Sequence, residues 1–376
     1  MSVAGIIFSN IHDSNLPELT RKRTIASVPF ACRYRLVDFA LSNMVNSNID
    51  NVNIVTSHNY HSLMDHLGSG KDWDLARRSG GLKILTPYIS SDTAYDGRYT
   101  RLGALKNIVS VIQQSTDDYF VLSDCDVICN IDLTKMVDAH IKNRADITIA
   151  VKRVSNAPEL DETDILLRSD ENGRVTEVLS GPMAVGAEDA DMNLNILVFS
   201  RQYLLDVISE AIFHDYKSLN RDIITRNAKR HNYYAYRYDG YFSCISNFAD
   251  YFACNMDLIR NKESRDSLFN VKNRPILTKI RNSSPTYYAK ESRVKNSLIA
   301  DGCEIHGTVE NSVIFRGVKI GKNTVVRNSI LFQDAFTGEN VILDNVIADK
   351  NVVIRDNRVL SGAEDLPYYI PKGKMI

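Results

Sequence analysis

Two carboxylates one residue apart, Asp124 and Asp126, follow the apolar run YFVLS at residues 119–123. A carboxylate pair at a strand end can hold Mg2+ against a pyrophosphate, or can cap the next helix or turn. Arg21, Lys22, Arg23, Arg33 and Arg35 put five cations within fifteen residues. Such a cluster can gather a phosphorylated ligand, or can form a solvated basic loop. The loop after the first apolar run is Ser9-Asn10-Ile11-His12-Asp13-Ser14-Asn15. A nucleotide-binding loop wants glycines for close backbone approach and a cation for the phosphates. This loop has no glycine and offers no Lys or Arg, so it reads as an ordinary surface loop. Gly68-Ser69-Gly70-Lys71 lacks the spacing of a P-loop. His214, Asp215 and Asp222 fall in the polar stretch HDYKSLNRD, read as a polar loop, and His306 reads as an inert turn residue of a repeat.

The elements that must position these groups are of two kinds. Up to about residue 270, short apolar runs alternate with amphipathic stretches. The runs at 3–8, 52–56, 119–123 and 147–151 are expected as buried strands, and those at 35–46, 103–114 and 133–143 as helices. That alternation predicts an α/β domain with a mostly parallel sheet, whose ligands sit at the carboxyl ends of the strands. Residues 271–290, rich in Pro, Ser and basic residues, read as a linker. Over residues 291–376 apolar residues recur about every six positions, at Ile299, Ile305, Ile314, Ile320, Val325, Ile330, Val341, Val346 and Val352, separated by turn residues such as Gly321-Lys322-Asn323. That period belongs to a left-handed parallel β-helix, expected here with three or four coils. A stub of that length needs its ends covered, which favours oligomers.

The composition, 44% apolar and 24% charged with a net charge of -1, suits a folded protein and gives no reason to expect nucleic acid or a membrane as partner. The six cysteines have no metal-ligand spacing and are expected as free thiols, and no apolar run is long enough for a signal peptide or a membrane span. A cytoplasmic protein is expected.

The string VPFACRYRLVDFALSNMVNSNI at residues 28–49 resembles a segment of glucose-1-phosphate adenylyltransferases. The resemblance continues at residues 66–70, 73–75, 145–150, 214–216, 240–241 and 255–258, so with the β-helix it covers nearly the whole chain. It implies a Rossmann-like, glycosyltransferase-A type nucleotidyltransferase domain followed by a short left-handed β-helix. It also implies the reaction of ATP with glucose 1-phosphate to give ADP-glucose and pyrophosphate, with Mg2+ held by two Asp residues. The departures fall on those parts. The family's GGxGTRL loop corresponds to residues 10–16, where Asn15 replaces the phosphate-stabilising Arg and Asp13 adds negative charge. Ile25 replaces the Lys of KPAVPF, and Cys244 replaces the second metal Asp, while Asp126 keeps the first. Ser180-Gly181-Pro182 replaces the sugar-phosphate-binding Glu-Lys-Pro, and Asp222 matches the sugar-contacting Asp. Residual substrate contacts therefore fall to Asp222, Ser180 and Gly181. Lys22, Arg23 and Arg35 match cations that contact phosphorylated effectors in activated members.

The expectation is a catalytically impaired regulatory subunit that pairs with a catalytic homologue in a tetramer and responds to a phosphorylated small molecule. Two alternatives are an active nucleotidyltransferase with a rearranged site at Asp124, Asp126 and Asp222, and a hexapeptide acyltransferase using His306.

Overall fold

The computed structural model describes residues 2–86, 100–153, 165–180 and 190–376. Nine strands form one sheet: β1 (Val3–Phe8), β2 (Asn51–Val55), β3 (Gly81–Leu85), β4 (Tyr119–Asp124), β5 (Ile147–Arg153), β6 (Ile165–Ser169), β7 (Val175–Ser180), β8 (Asp191–Ser200) and β9 (Tyr233–Arg237). Its order is β7-β6-β8-β4-β1-β2-β3, and β5 pairs with both β8 and β9. β4, β1, β2 and β3 run parallel, as do β5 and β9, while β8 runs antiparallel to β4 and β5. The mostly parallel sheet thus brings the carboxyl ends of β1, β2 and β4 to one edge, and the loops that follow them meet there. β1 carries no polar side chain, because both faces of the parallel region are covered.

Helices α1 (Leu36–Val45), α2 (Arg101–Asn107), α3 (Leu133–Lys142), α4 (Arg201–Phe213) and α5 (Phe248–Arg260) flank the sheet. The segment expected as one helix over 103–114 is two: α2 ends at Ile108, whose φ of -110° and ψ of 13° break the path, and a second helix runs Val109–Gln114. α2 starts two residues early because the Thr100 side chain caps it, accepting the Gly103 N–H at 3.0 Å.

From Tyr287 the chain winds into the left-handed parallel β-helix, with three five-stranded sheets. It has five coils, not three or four. The outer coils escape the six-residue pattern because Val294 sits at an open end and residues 362–367 interrupt the last coil before Tyr368–Ile370. Stacking demands close turns: a Cβ on Gly321 would lie 2.2 Å from the Gly338 carbonyl oxygen. Asn296, Asn311 and Asn328 take left-handed backbone at successive coils and link side chain to side chain at 2.8 and 3.4 Å.

The two regions share a core. Val313, Phe315, Ile330, Phe332 and Ile347 of the β-helix pack on Phe30, Phe39, Tyr251 and Phe252. The Phe315 and Phe332 rings meet edge to face at 5.1 Å, and Tyr251 OH donates to the Pro29 carbonyl. The segment between the regions is pinned: Asn46 donates to the Pro275 carbonyl, and the Leu277 N–H to Ser42 Oγ at 2.8 Å. The β-helix is therefore fixed against the loops at the carboxyl edge of the sheet.

Candidate functional site

The loop after β1 is closed by its own side chains. Asn10 Oδ1 accepts from Ser9 Oγ, Thr56 Oγ1 and the Ser57 N–H, each at 2.9 Å, and Asn10 Nδ2 donates to Asp13 Oδ2 at 2.7 Å. Asp13 Oδ1 accepts the Ile25 N–H at 2.7 Å. These acceptors take up donors that a phosphate would need. Asn15 lies half-buried in the short turn Asp13–Asn15, and Ile25 is buried in the shared apolar core.

β4 delivers Asp124 and then Asp126, both buried, beneath this loop. His12 Nε2 donates to Asp124 Oδ2 at 3.0 Å and lies 3.6 Å from Asp126 Oδ2. Arg101, in the first turn of α2, places Nε 3.0 and 2.9 Å from the two Asp124 oxygens, with Nη2 also on Oδ2. Burial alone would lower the His12 pKa, but Asp126 and Asp124 outweigh it and raise it to about 9. Burial would raise Asp124, but Arg101 and His12 pull it down to about 2. The cluster thus sets His12 and Arg101 against Asp124, with Asp126 also close to His12.

Beside it, the strand Phe242–Cys244 pairs with Val127–Cys129 and sets Cys244 Sγ 3.8 Å from Asp126 Oδ2. Burial raises the Cys125 and Cys129 thiols, and none of the six cysteines forms a disulfide.

The ligand atoms of His12, Asp124 and Asp126 lie within 4.8 Å of one another, close enough to surround an ion. The donor set nevertheless does not fit Mg2+, which demands near-octahedral hard oxygens. Asp124 is spent on Arg101, a protonated His12 stands at the carboxylates, and the neighbouring group is a thiol. His12 and Arg101 bring positive charge to an edge where Asn15 and Ile25 supply none, but aim it at the carboxylates. They escaped notice because they lie 112 and 23 residues from Asp124.

Asp222 lies in the helical turn Leu219–Thr225, which packs against β7, whose last residue is Ser180. The Asp222 carboxylate accepts the Lys217 and Ser218 N–H groups at 2.9 Å each and the Arg221 guanidinium at 2.9 Å. Gly181 lies outside the described residues. His214 stacks on Tyr216 at 5.2 Å, and His306 lies near Tyr287 in a β-helix turn.

The basic cluster divides. A cleft of about 430 Å³ at the junction of the two regions is lined by Arg21, Lys22, Arg23, Asp349, Tyr369 and Lys372 among others. Arg23, 3% exposed, reaches both Asp349 oxygens at 2.7 and 2.8 Å through Nη2, and Tyr369 OH donates to Asp349 at 2.9 Å. Among the described residues Arg23 Nη1 is buried without a hydrogen-bond partner. Arg35 lies off the cleft, bound to Ser62, and burial pushes it down to about 10. Beside the cleft, burial together with Arg35 and Arg23 pushes the Lys350 ammonium down to about 6. Asp349, Lys350 and Lys372 carry no local signal in sequence, since the junction that unites them with Arg23 spans 326 residues.

Residues 5–255 match the nucleotidyl transferase family, and residues 284–365 match the GlmU-like C-terminal hexapeptide family. The chain is 34% identical to a glucose-1-phosphate adenylyltransferase of Mycoplasma mobile over 86% of this chain and 84% of that one. It is 34% identical to the glycogen biosynthesis protein GlgD of Bacillus subtilis over 98% and 95% of the two chains. Against GlgD of Geobacillus stearothermophilus it is 36% identical, over 86% and 82%. The chain belongs to the glucose-1-phosphate adenylyltransferase family. Adenylyltransferases and GlgD proteins lie at similar identity to it, so it stands among ADP-glucose pyrophosphorylase family proteins of glycogen biosynthesis. The carboxyl edge of the sheet in this nucleotidyl transferase domain holds the cluster of His12, Arg101, Asp124 and Asp126. Among the described residues no helix is long and apolar enough to cross a membrane.

Removing one partner of a buried ion pair leaves an uncompensated charge. Arg101→Met should therefore destabilise the chain by about 3–5 kcal/mol in urea unfolding, with most of the loss recovered in Arg101→Met/Asp124→Asn. A loss under about 1 kcal/mol for the single variant would show that Arg101 does not hold Asp124.

Proposed function

We propose that this chain is a regulatory, catalytically impaired subunit of ADP-glucose pyrophosphorylase, acting on a catalytic homologous subunit within a hetero-oligomer, a tetramer in this reading. The observation that carries the reading is the neutralised carboxylate pair, Asp124 and Asp126 under His12 and Arg101. Catalysis of nucleotidyl transfer relies on charge placed against developing phosphate charge. Here the cations face carboxylates, Ile25 and Asn15 carry no charge, and Cys244 stands in place of a metal carboxylate. Losing one preorganised contact costs about 10²–10³ in rate, and several are missing together.

The regulatory half of the reading rests on the junction cleft. Arg21, Lys22 and Lys372 line it from both regions, and the unpartnered Nη1 of Arg23 lies beside it. A phosphorylated small molecule is the ligand whose charge and hydrogen-bond acceptors match that lining. A ligand held from both sides would bias how the β-helix sits on the catalytic-type domain, which is a route for acting on a neighbouring subunit.

Pyrophosphate release from ATP and glucose 1-phosphate should be at least about 10³-fold slower for this chain than for the catalytic homologue. A mixture should differ from the homologue alone in rate or effector response. Turnover by the isolated chain near its homologue's rate, or a mixture that behaves as the homologue alone, contradicts the proposal. The cleft adds a pH dependence. A bound anion favours the charged form of Lys350 and raises its pKa from about 6, so binding takes up a proton and weakens as pH rises. Sulfate, whose charge is fixed in this range, should bind more tightly at pH 6 than at pH 8, and Lys350→Met should flatten the difference. Affinity that is level or rises with pH in the unaltered chain contradicts this assignment.

A further inference from the structure

A second cleft, of about 310 Å³, opens at the amino edge of the sheet, opposite the carboxylate cluster, between the starts of β2 and β3 and the end of the helix Val109–Gln114. Small-molecule sites occupy roughly 300–1,000 Å³, so this one suits a small ligand. Its floor departs from the rest of the sheet. Leu122, Ile6, Asn53 and Lys83 stand in register across β4, β1, β2 and β3, and Phe120, Ala4 and Asn51 do so two residues nearer the amino edge. The β4 and β1 members of both rows belong to the apolar core, whereas β2 and β3 turn polar on the same face. A strand covered on both faces of a parallel sheet reads as a near-continuous apolar run, so Asn53 within VNIVT calls for a reason.

Asn53 is 3% exposed and lines the cleft. Among the described residues its Oδ1 is buried with no hydrogen-bond partner, and its Nδ2 has only the Gly5 carbonyl at 3.4 Å. A buried amide oxygen left unpaired is costly, which points to a donor from outside the chain. The groups around it hold one another in place. Asn51 Nδ2 donates to Asp117 Oδ2 at 2.6 Å, Ser115 Oγ donates to the same oxygen at 2.7 Å, and Lys83 Nζ lies 3.5 Å from Asn51 Oδ1. Gln114 adds a third amide to the lining, and Val111 and Phe120 add an apolar wall.

We infer that this cleft binds an unphosphorylated polyhydroxylated molecule, a sugar or cyclic polyol presenting one ring. A hydroxyl both donates and accepts, so neighbouring hydroxyls donate to Asn53 Oδ1 and accept from Lys83 and Gln114. The C–H face of the ring rests on Val111 and Phe120, as apolar walls with a few placed polar groups do in small-molecule sites. Among the described residues the lining holds one cation, Lys83, and one carboxylate, Asp117, so it has no surplus of positive charge to hold a phosphate. The junction cleft, lined by Arg21, Lys22, Arg23 and Lys372, differs in that respect and shares no lining residue with this one. The inference stands apart from the regulatory reading, since an active or an inactive chain would carry the same cleft.

Saturation-transfer NMR titration of the full chain with glucose, myo-inositol and maltotetraose tests it. Glucose or myo-inositol should bind saturably, and inorganic phosphate should not displace it. Asn53→Leu, which keeps the size of the side chain, should weaken binding at least about tenfold. Lys83→Met, at an exposed position, should weaken it as well, and thermal unfolding confirms that each variant is folded. Maltotetraose binding more tightly than glucose supports the proposal with the end of a glucan chain as ligand, and equal or weaker binding supports it with a free sugar. No saturable binding to the unaltered chain, displacement by phosphate, binding that both variants keep, or binding that Asp222→Asn abolishes in their place overturns the proposal.

Discussion

Two carboxylates buried side by side at the end of a parallel strand must meet positive charge, because an isolated buried anion is too costly to persist. In this chain that constraint organises the carboxyl edge of the sheet. His12 reaches the pair from the loop after β1, and Arg101 reaches Asp124 from the first turn of α2. Three segments far apart in sequence are thereby tied together: the β1 loop, the β4 end and the α2 start. The same tie decides the chemistry. Charges that would otherwise be available to a divalent ion or a polyphosphate are met within the protein, which is what supports the proposal of a catalytically impaired chain.

The second organising contact is the junction with the β-helix. Its apolar part, Phe315, Phe332 and Tyr251, fixes the two regions rigidly enough for a bidentate ion pair, Arg23 with Asp349, to survive at its margin. That pair neutralises one cation of the basic cluster and leaves Arg21, Lys22 and Lys372 facing the cleft. Burial first, and then Arg35 and Arg23, hold the nearby Lys350 ammonium well below its ordinary value. The carboxyl edge of the sheet and the junction therefore stand in opposite electrostatic conditions, one closed on itself and one with Arg21, Lys22 and Lys372 facing open space.

Much of this was legible in the sequence where the signal is local. β1 and β4 could be placed from apolar runs, and Asp126, Ile25 and Cys244 from short motifs. The six-residue period located the β-helix but undercounted its coils, since Val294 and the interruption before Tyr368 break the pattern while the backbone continues it. The break at Ile108 was hidden because residues 103–114 keep helical periodicity across it. What could not be read were contacts made by folding: His12 and Arg101 at the carboxylates, Arg23 turned toward Asp349, and Arg35 drawn away to Ser62. The basic cluster near residues 21–35 looked like one site in sequence and is several environments in space.

The central claim is that His12 and Arg101 cancel the carboxylate pair, so that no divalent ion is held there. Titration with Mn2+, a spectroscopic stand-in for Mg2+, followed by electron paramagnetic resonance, tests this most directly. The account predicts no stoichiometric binding, with the unaltered chain and Asp126→Asn indistinguishable. One tightly bound Mn2+ per chain that is lost in Asp126→Asn would contradict it.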